Sequence, residues 1–373
     1  MRLLVAILVA IIIFRLQHSL YRKNWANRLT ASVKFERPEC MVGENNTLIE
    51  TINNAKNLPL PVLHAKFSVD RSLAFDNREN ASVTDSYHRN DVFCILGNQK
   101  ITRQLSFRAQ KRGYFEIPSV ELVAKDLFLT GFFAESIRNR THLYVYPEAI
   151  KGSEIDTLSM TLLGEIQVRK NLLEDPFIFN GIREYSYGDT MNRVNWKASA
   201  RTGDLMVNQF HHSSDLYIKI LLNLEPNTMN RPEELLEVSI RLASELSGRY
   251  LRDNVPVMFA SNGIDKVSKQ VSTVEKGSSF EHHTTINQSL ARIEKSAGND
   301  VFMSYLDQAI SSGEKNISYV VISSYCREEL LEKLDYLNSH DVPVRMIVPY
   351  YDIVGLDQTR DYIYGWQVKY NES

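Results

Sequence analysis

Cysteine is scarce in this chain: Cys40, Cys94 and Cys326 are the only three in 373 residues. An odd number of widely separated cysteines excludes a disulfide framework and fits a reducing compartment. No CxxC pair or Cys/His cluster has zinc spacing, so no metal is expected. The doublets His211-His212 and His282-His283 are read as surface or loop histidines, because neighbours on a strand point to opposite faces. Charge of one sign is lacking too. With 43 Lys and Arg against 45 Asp and Glu, the formal net charge is −2, which gives no global attraction to nucleic acid. No glycine-rich phosphate loop follows any expected strand, so no nucleotide or other cofactor is expected.

What the chain does have is a long apolar start. Leu3 to Phe14 is an unbroken run of 12 apolar residues. A helix of that length covers roughly 18 Å, short of a hydrocarbon core of ~30 Å. Extension to Leu20 with a snorkelling Arg15 reaches roughly 27 Å, enough to span a slightly thinned bilayer. Residues 3–20 are therefore expected to contact the lipid bilayer. A cleaved signal is disfavoured, because the segment after the run is bulky and basic with no small-x-small triplet. Arg15, Arg22, Lys23 and Arg28 follow the run, against Arg2 before it, which places the bulk of the chain in the cytoplasm as a single-pass protein.

Four divisions are expected: an anchor and juxtamembrane segment (1–28), a β-sandwich (29–150), a connector (151–214) and an α/β domain (215–373). Between 29 and 150, short alternating runs such as ASVKFERP, LHAKFSVD and YFEIPSVELVAKD read as strands separated by turn residues. Many strands without intervening helices predict an antiparallel β-sandwich. From Asp215 the pattern changes to strand and helix in alternation. LYIKILLNL is a continuous apolar strand, the mark of burial on both faces. Leu236, Ile240, Ala243, Leu246 and Tyr250 recur at helical spacing in the helix after it. Such alternation predicts a mostly parallel sheet, whose ligands would sit beyond the carboxyl ends of the strands.

Those ends read NLEPN (223–227) and SSYC (323–326). The topology resembles the von Willebrand factor A domain, a Rossmann-like fold that carries an Asp-x-Ser-x-Ser metal site after its first strand. The matching positions here are Asn223, Glu225 and Asn227, and serines 323 and 324 replace a second aspartate. Magnesium prefers hard anionic oxygen, and this set supplies one carboxylate. The expectation is a metal-free derivative.

The densest stretch is REYSYGDTMNRVNWKASARTGD, residues 183–204. Asp189 or Thr190 is expected to cap a short helix in which Arg193, Lys197 and Arg201 form one cationic stripe. Trp196 is expected to anchor that helix in a core, and Asp189 to pair with Arg193. Gly203 is expected to end the helix before a new strand. Internal bracing by the arginines is weighted first, docking of an acidic partner second, and acid/base catalysis by Glu184 and Asp189 last. The stretch is similar to the signature of the bacterial domain-of-unknown-function family numbered 58. The residues that carry the likeness are Arg183, Glu184, Tyr185, Gly188, Asp189, Arg193, Val194, Asn195, Trp196, Ala200, Arg201, Leu205 and Val207, with Arg-Gly-Tyr-Phe at 112–115 as support. Members of that family often start with a pair of spans, whereas one is visible here.

The resemblance implies work beside a MoxR-like AAA+ ATPase in protein assembly or maturation at the envelope, and it brings no enzymatic activity. The expected function is a membrane-anchored, non-enzymatic scaffold or adaptor. One alternative is an extracytoplasmic adhesion or ligand-binding module. A second, weaker one is a hydrolase centred on Glu184 and Asp189 with His211 or His212.

Overall fold

The computed structural model describes residues 2–76, 81–84, 86–172, 174–187, 189–212, 216–226, 232–314, 316–351 and 360–368. The chain divides into two compact units, 1–148 and 149–373.

The first unit opens with helix α1 (Arg2–Asn24), long and apolar enough to cross a membrane, with Leu3, Leu4, Leu8 and Ile11 all exposed. Ten strands follow: β1 (Leu29–Phe35), β2 (Glu39–Met41), β3 (Asn45–Asn54), β4 (Leu60–Asp70), β5 (Leu73–Phe75), β6 (Ala81–Val83), β7 (Ser86–Ile95), β8 (Gln99–Ala109), β9 (Gly113–Lys125) and β10 (Phe132–Tyr146). They form a four-stranded sheet, β1-β3-β8-β5, and a six-stranded sheet, β2-β10-β9-β4-β7-β6. Only the β2–β10 pairing among those described is parallel. Burial alternates residue by residue along β1, β3 and β7, as the period of two demands for sheets with one face in a core. Val33, Leu48 and Phe107 of one sheet share that core with Leu63, Ile117 and Leu122 of the other.

At a bulge in β10, buried Asn139 ties the sheets together. Its amide donates to Val33 O at 2.9 Å and Ile117 O at 3.0 Å, and its Oδ1 accepts from Val33 N at 3.2 Å.

The second unit begins with helix α2 (Ser153–Leu172) and a hairpin of β11 (Glu174–Glu184) and β12 (Met206–His212), with the short helix α3 (Trp196–Thr202) between the two strands. Then come β13 (Tyr217–Asn223), α4 (Pro232–Arg252), β14 (Val257–Asp265), β15 (Val271–Gly277), α5 (Phe280–Arg292), β16 (Ile293–Ser296) and α6 (Asn299–Ser312). The last described elements are β17 (Ile317–Ser323), α7 (Glu328–Ser339), β18 (Val344–Tyr350) and β19 (Ile363–Gln367). The strands lie in the order β15-β14-β13-β17-β18-β19, with β16 also paired to β14. Five of them, β14-β13-β17-β18-β19, are mutually parallel, while β15 and β16 pair with β14 antiparallel.

Helices cover both faces of this sheet. Ile218, Ile220 and Ile322 face α2, α4 and α5, and Leu221, Val321 and Met346 face α6 and α7. Alternation along the sequence did not reveal α2 or β19. Ile155, Leu158, Leu162 and Ile166 of α2 join the sheet's core, and Glu165 binds Arg345 of β18 at 2.7 Å. The α/β body thus recruits chain well before Asp215.

Candidate functional site

The stretch 183–204 is built on the β11–β12 hairpin. Arg183, next to last in β11, grips Asp189 with both terminal guanidinium nitrogens, at 2.7 and 2.6 Å. Its Nη1 also donates to Glu184 O at 2.9 Å, and Asp189 accepts from Ser186 N at 2.8 Å. The Arg183 hydrogen bonds first, then the Ser186 amide, pull the Asp189 carboxyl down to about 2, with Arg193 adding a weaker electrostatic pull. Asp189 is therefore a carboxylate committed to closing a loop, and its partner is Arg183 rather than the expected Arg193. Tyr185 N donates to Leu205 O at 2.8 Å, and Gly188 lies outside the described residues.

The expected continuous helix is interrupted. Met191–Arg193 is a single 3-10 turn, Val194 bridges to Val207, and α3 starts afresh at Trp196. Neither Asp189 nor Thr190 caps it. Asn195 does, accepting from Ala198 N at 3.0 Å while its amide donates to Asn208 at 2.7 Å. Ser199 completes the fastening, donating to Asn195 O at 2.9 Å and accepting from Met206 N at 2.8 Å. Gly203 closes the helix at φ 87°, the left-handed cap expected there.

Because Val194 and Asn195 break the helix, Arg193 is not in helical register with Lys197 and Arg201, and the three do not make one stripe. Trp196 is not a core anchor. It is 63% exposed on the first turn of α3, beside exposed Lys197, Ala200 and Arg201. Val194 and Val207 take the buried places instead. The stretch is thus a braced base, Arg183, Asp189, Asn195 and Ser199, that holds out a short aromatic and cationic ridge. Glu184 is exposed, and the side chains of His211 and His212 lie outside the described residues.

A second cluster sits where the strand order reverses, between the carboxyl ends of β13 and β17. Asn223, Asn262 and Ser323 are fully buried there. Asn262 Nδ2 reaches Asn223 Oδ1 at 2.9 Å, Ser296 Oγ at 3.0 Å and Gly298 O at 3.1 Å, while its Oδ1 accepts from Leu224 N at 2.8 Å. Glu225 N donates to Asn223 Oδ1 at 3.0 Å, and Ser296 Oγ donates to the Glu225 carboxylate at 3.3 Å. Ser323 folds onto Tyr325, and Asn227 lies outside the described residues. Neutral amides and hydroxyls bond to one another here, save Asn223 Nδ2, which is buried without a hydrogen-bond partner, and Glu225 is the single carboxylate among them. Among the described residues no group of three His, Cys, Asp or Glu side chains could hold a metal ion. Asn262 was not singled out from the sequence; it follows the apolar run of β14, where a buried amide gives no pattern of its own.

The second histidine doublet also departs from expectation. His282 and His283 sit in the first turn of α5, half-buried, with Nε2 atoms 2.8 Å from Val257 O and 3.1 Å from Ser244 O. Glycines make the room: a Cβ at Gly248 would meet His283 at 2.8 Å, and one at Gly277 would meet His282 at 2.5 Å. The cysteines are free, with Cys40 buried and Cys94 exposed.

Residues 181–254 match the family described as Protein of unknown function DUF58, and that span contains the braced ridge, β13 and all of α4. No curated protein sequence matches the chain. Among solved structures, a non-cellulosomal cohesin from Archaeoglobus fulgidus is 12% identical, covering 32% of this chain and 91% of its own, at a TM-score of 0.22. A type II cohesin from Acetivibrio cellulolyticus is 11% identical, covering 31% and 95%, at 0.23. The sporulation control protein Spo0M from Bacillus subtilis is 11% identical, covering 43% and 58%, at 0.20.

Proposed function

We propose that this chain is a membrane-anchored, non-enzymatic adaptor that holds a cytoplasmic AAA+ ATPase of the MoxR-like kind through the ridge on α3. The observation that carries the reading is Trp196, 63% exposed on a helix whose frame is fastened from below. An exposed tryptophan flanked by Lys197 and Arg201 is the composition of a binding anchor, since Trp and Arg dominate interface hot spots. The fastening by Asn195, Ser199 and the Arg183–Asp189 pair means that little ordering cost remains at binding. Basic neighbours suit an acidic partner surface.

The α/β unit we read as a metal-free derivative of the von Willebrand factor A fold. Its strand order, with the reversal beside β13, supports that reading, as does an amide network standing where ligand carboxylates would be required. Helix α1 serves as the anchor, with the rest of the chain in the cytoplasm.

The test uses the full chain in detergent and a purified MoxR-like AAA+ ATPase of the same organism. Wild type is expected to bind at micromolar concentration, and Trp196→Ala and Arg201→Glu to weaken binding at least tenfold with circular dichroism unchanged. Wild type that shows no binding, or variants that bind as wild type does, would sink the reading.

A further inference from the structure

The turn joining β9 to β10, together with the first residue of β10, carries four large exposed apolar side chains. Leu127, Phe128, Leu129 and Phe132 are 53%, 53%, 50% and 69% exposed. The turn is held in shape from inside. Asp126, fully buried, accepts from Thr130 N at 2.8 Å, and Leu129 N donates to Asp126 O at 3.0 Å. Burial alone would raise the Asp126 carboxyl, but the Thr130 and Gly131 amides and the His18 ring together hold it below its ordinary range. Leu129 sits at φ 61°, a left-handed conformation that costs a leucine free energy and a glycine almost none.

The turn lies along α1. The Phe128 ring is 5.8 Å from that of Phe14, the Phe133 ring is 5.6 Å from that of His18, and His18 Nδ1 is 3.3 Å from Asp126. Gly131 permits the approach, because a Cβ there would meet His18 Cε1 at 3.0 Å. One helical turn past His18, buried Tyr21 donates to Pro59 O at 2.7 Å and fixes the base of the helix to the sandwich. Phe14 precedes Leu20, the end of the expected span 3–20, by six residues, so Phe128 stands level with a point about 9 Å inside that span. That is the depth to which interfacial apolar groups bury themselves, roughly 5–10 Å. Lys125, with Nζ 4.9 Å from the Phe132 ring centre, marks the polar edge of the patch, where an amine meets lipid phosphate.

We propose that the β9–β10 turn inserts into the bilayer leaflet that holds the C-terminal half of α1, as a second lipid contact. The inference rests on the reading of α1 as a membrane span. A helix alone leaves the sandwich free to swivel about the helix axis. A second insertion point beside it fixes which face of the sandwich looks at the membrane.

The full chain is reconstituted in phosphatidylcholine–phosphatidylglycerol vesicles with plain or brominated acyl chains, and the added emission of Phe14→Trp, Phe128→Trp and Tyr114→Trp is read against wild type. Tyr114 lies at the far end of β9 and reports the distal part of the sandwich. Brominated chains are expected to quench the indoles at 14 and 128 and to spare the one at 114. Quenching at 14 without quenching at 128 overturns the inserted turn and leaves the span standing. Loss of quenching at 14 overturns both. Equal quenching at 114 and 128 also overturns the proposal, because insertion would then have no preferred site. Leu129→Trp supplies the same reading should Phe128→Trp fold poorly.

Discussion

Glu50 occupies an inward position of β3, in phase with Leu48 and Ile52, and its carboxyl lies against that of Asp91, to which it hydrogen-bonds only as the protonated donor. The nearby guanidinium groups are committed elsewhere: Arg89 donates to Asp91 at 3.2 Å and Arg103 to Asp91 at 2.6 Å. Burial first, then the Asp91 charge, raise the Glu50 carboxyl well above the ordinary carboxylate range, against a weaker pull from Arg103 and Arg89. The folded state therefore keeps a proton that the unfolded chain releases above about pH 4.3. The stabilisation is fully present below that pH and declines as pH rises towards the folded value, by about 1.4 kcal/mol per pH unit for one proton. Glu50→Gln is expected to remove this slope while keeping the shape of the side chain. Chemical unfolding of both proteins at a series of pH values between about 5 and 7 checks it, and parallel curves would refute it. The run NTLIETINN reads as a strand, but Ile49 falls on the opposite phase from Leu48 and Ile52, so the pattern does not by itself put Glu50 inside. Its neighbour Asp91 comes from the opposite sheet, and period-two reasoning carries no information about which strands face each other.

At the scale of elements, one side chain joins three. Asn262, inside β14, holds the end of β13 through Asn223 and Leu224, and the entry to α6 through Gly298. Asn262→Ala would strand several buried polar groups at once, at an expected cost of about 2–4 kcal/mol in unfolding free energy. A loss below about 1 kcal/mol in denaturant titration would mean that water substitutes freely for the amide. Elements whose pattern is set by a single sheet or helix were legible: the alternating strands of the sandwich, the doubly buried β13, and α4 to α7. The misreadings share a cause. Arg193, Lys197 and Arg201 have helical spacing, but Asn195 satisfies the backbone better as a cap than within a helix, so α3 begins after it. The apolarity of Trp196 suggests an anchor, but Val194 and Val207 fill the buried places through strand pairing. In α2 the apolar face, Ile155, Leu158, Leu162 and Ile166 with Leu163 at its flank, is spaced helically but diluted by exposed Met160 on another face.

For the molecule as a whole, the side of the membrane on which the second unit lies decides between adaptor and adhesion module. Arg15, Arg22, Lys23 and Arg28 lie within or just after α1, and Arg2 alone lies at its start. Lys and Arg near the ends of a span are retained on the cytoplasmic side, so this bias predicts a cytoplasmic sandwich and α/β unit. A fluorescent protein fused after Ser373 is expected to fluoresce, and alkaline phosphatase at the same point to stay inactive. Replacing Arg22, Lys23 and Arg28 by alanine while adding lysines before Leu3 is expected to raise phosphatase activity, because the bias itself then reverses. An active phosphatase on the unaltered chain would put Trp196 and its basic neighbours outside the compartment that holds ATP. No ATP-driven partner could then dock on the α3 ridge, and the exposed tryptophan would belong to an extracytoplasmic binding surface.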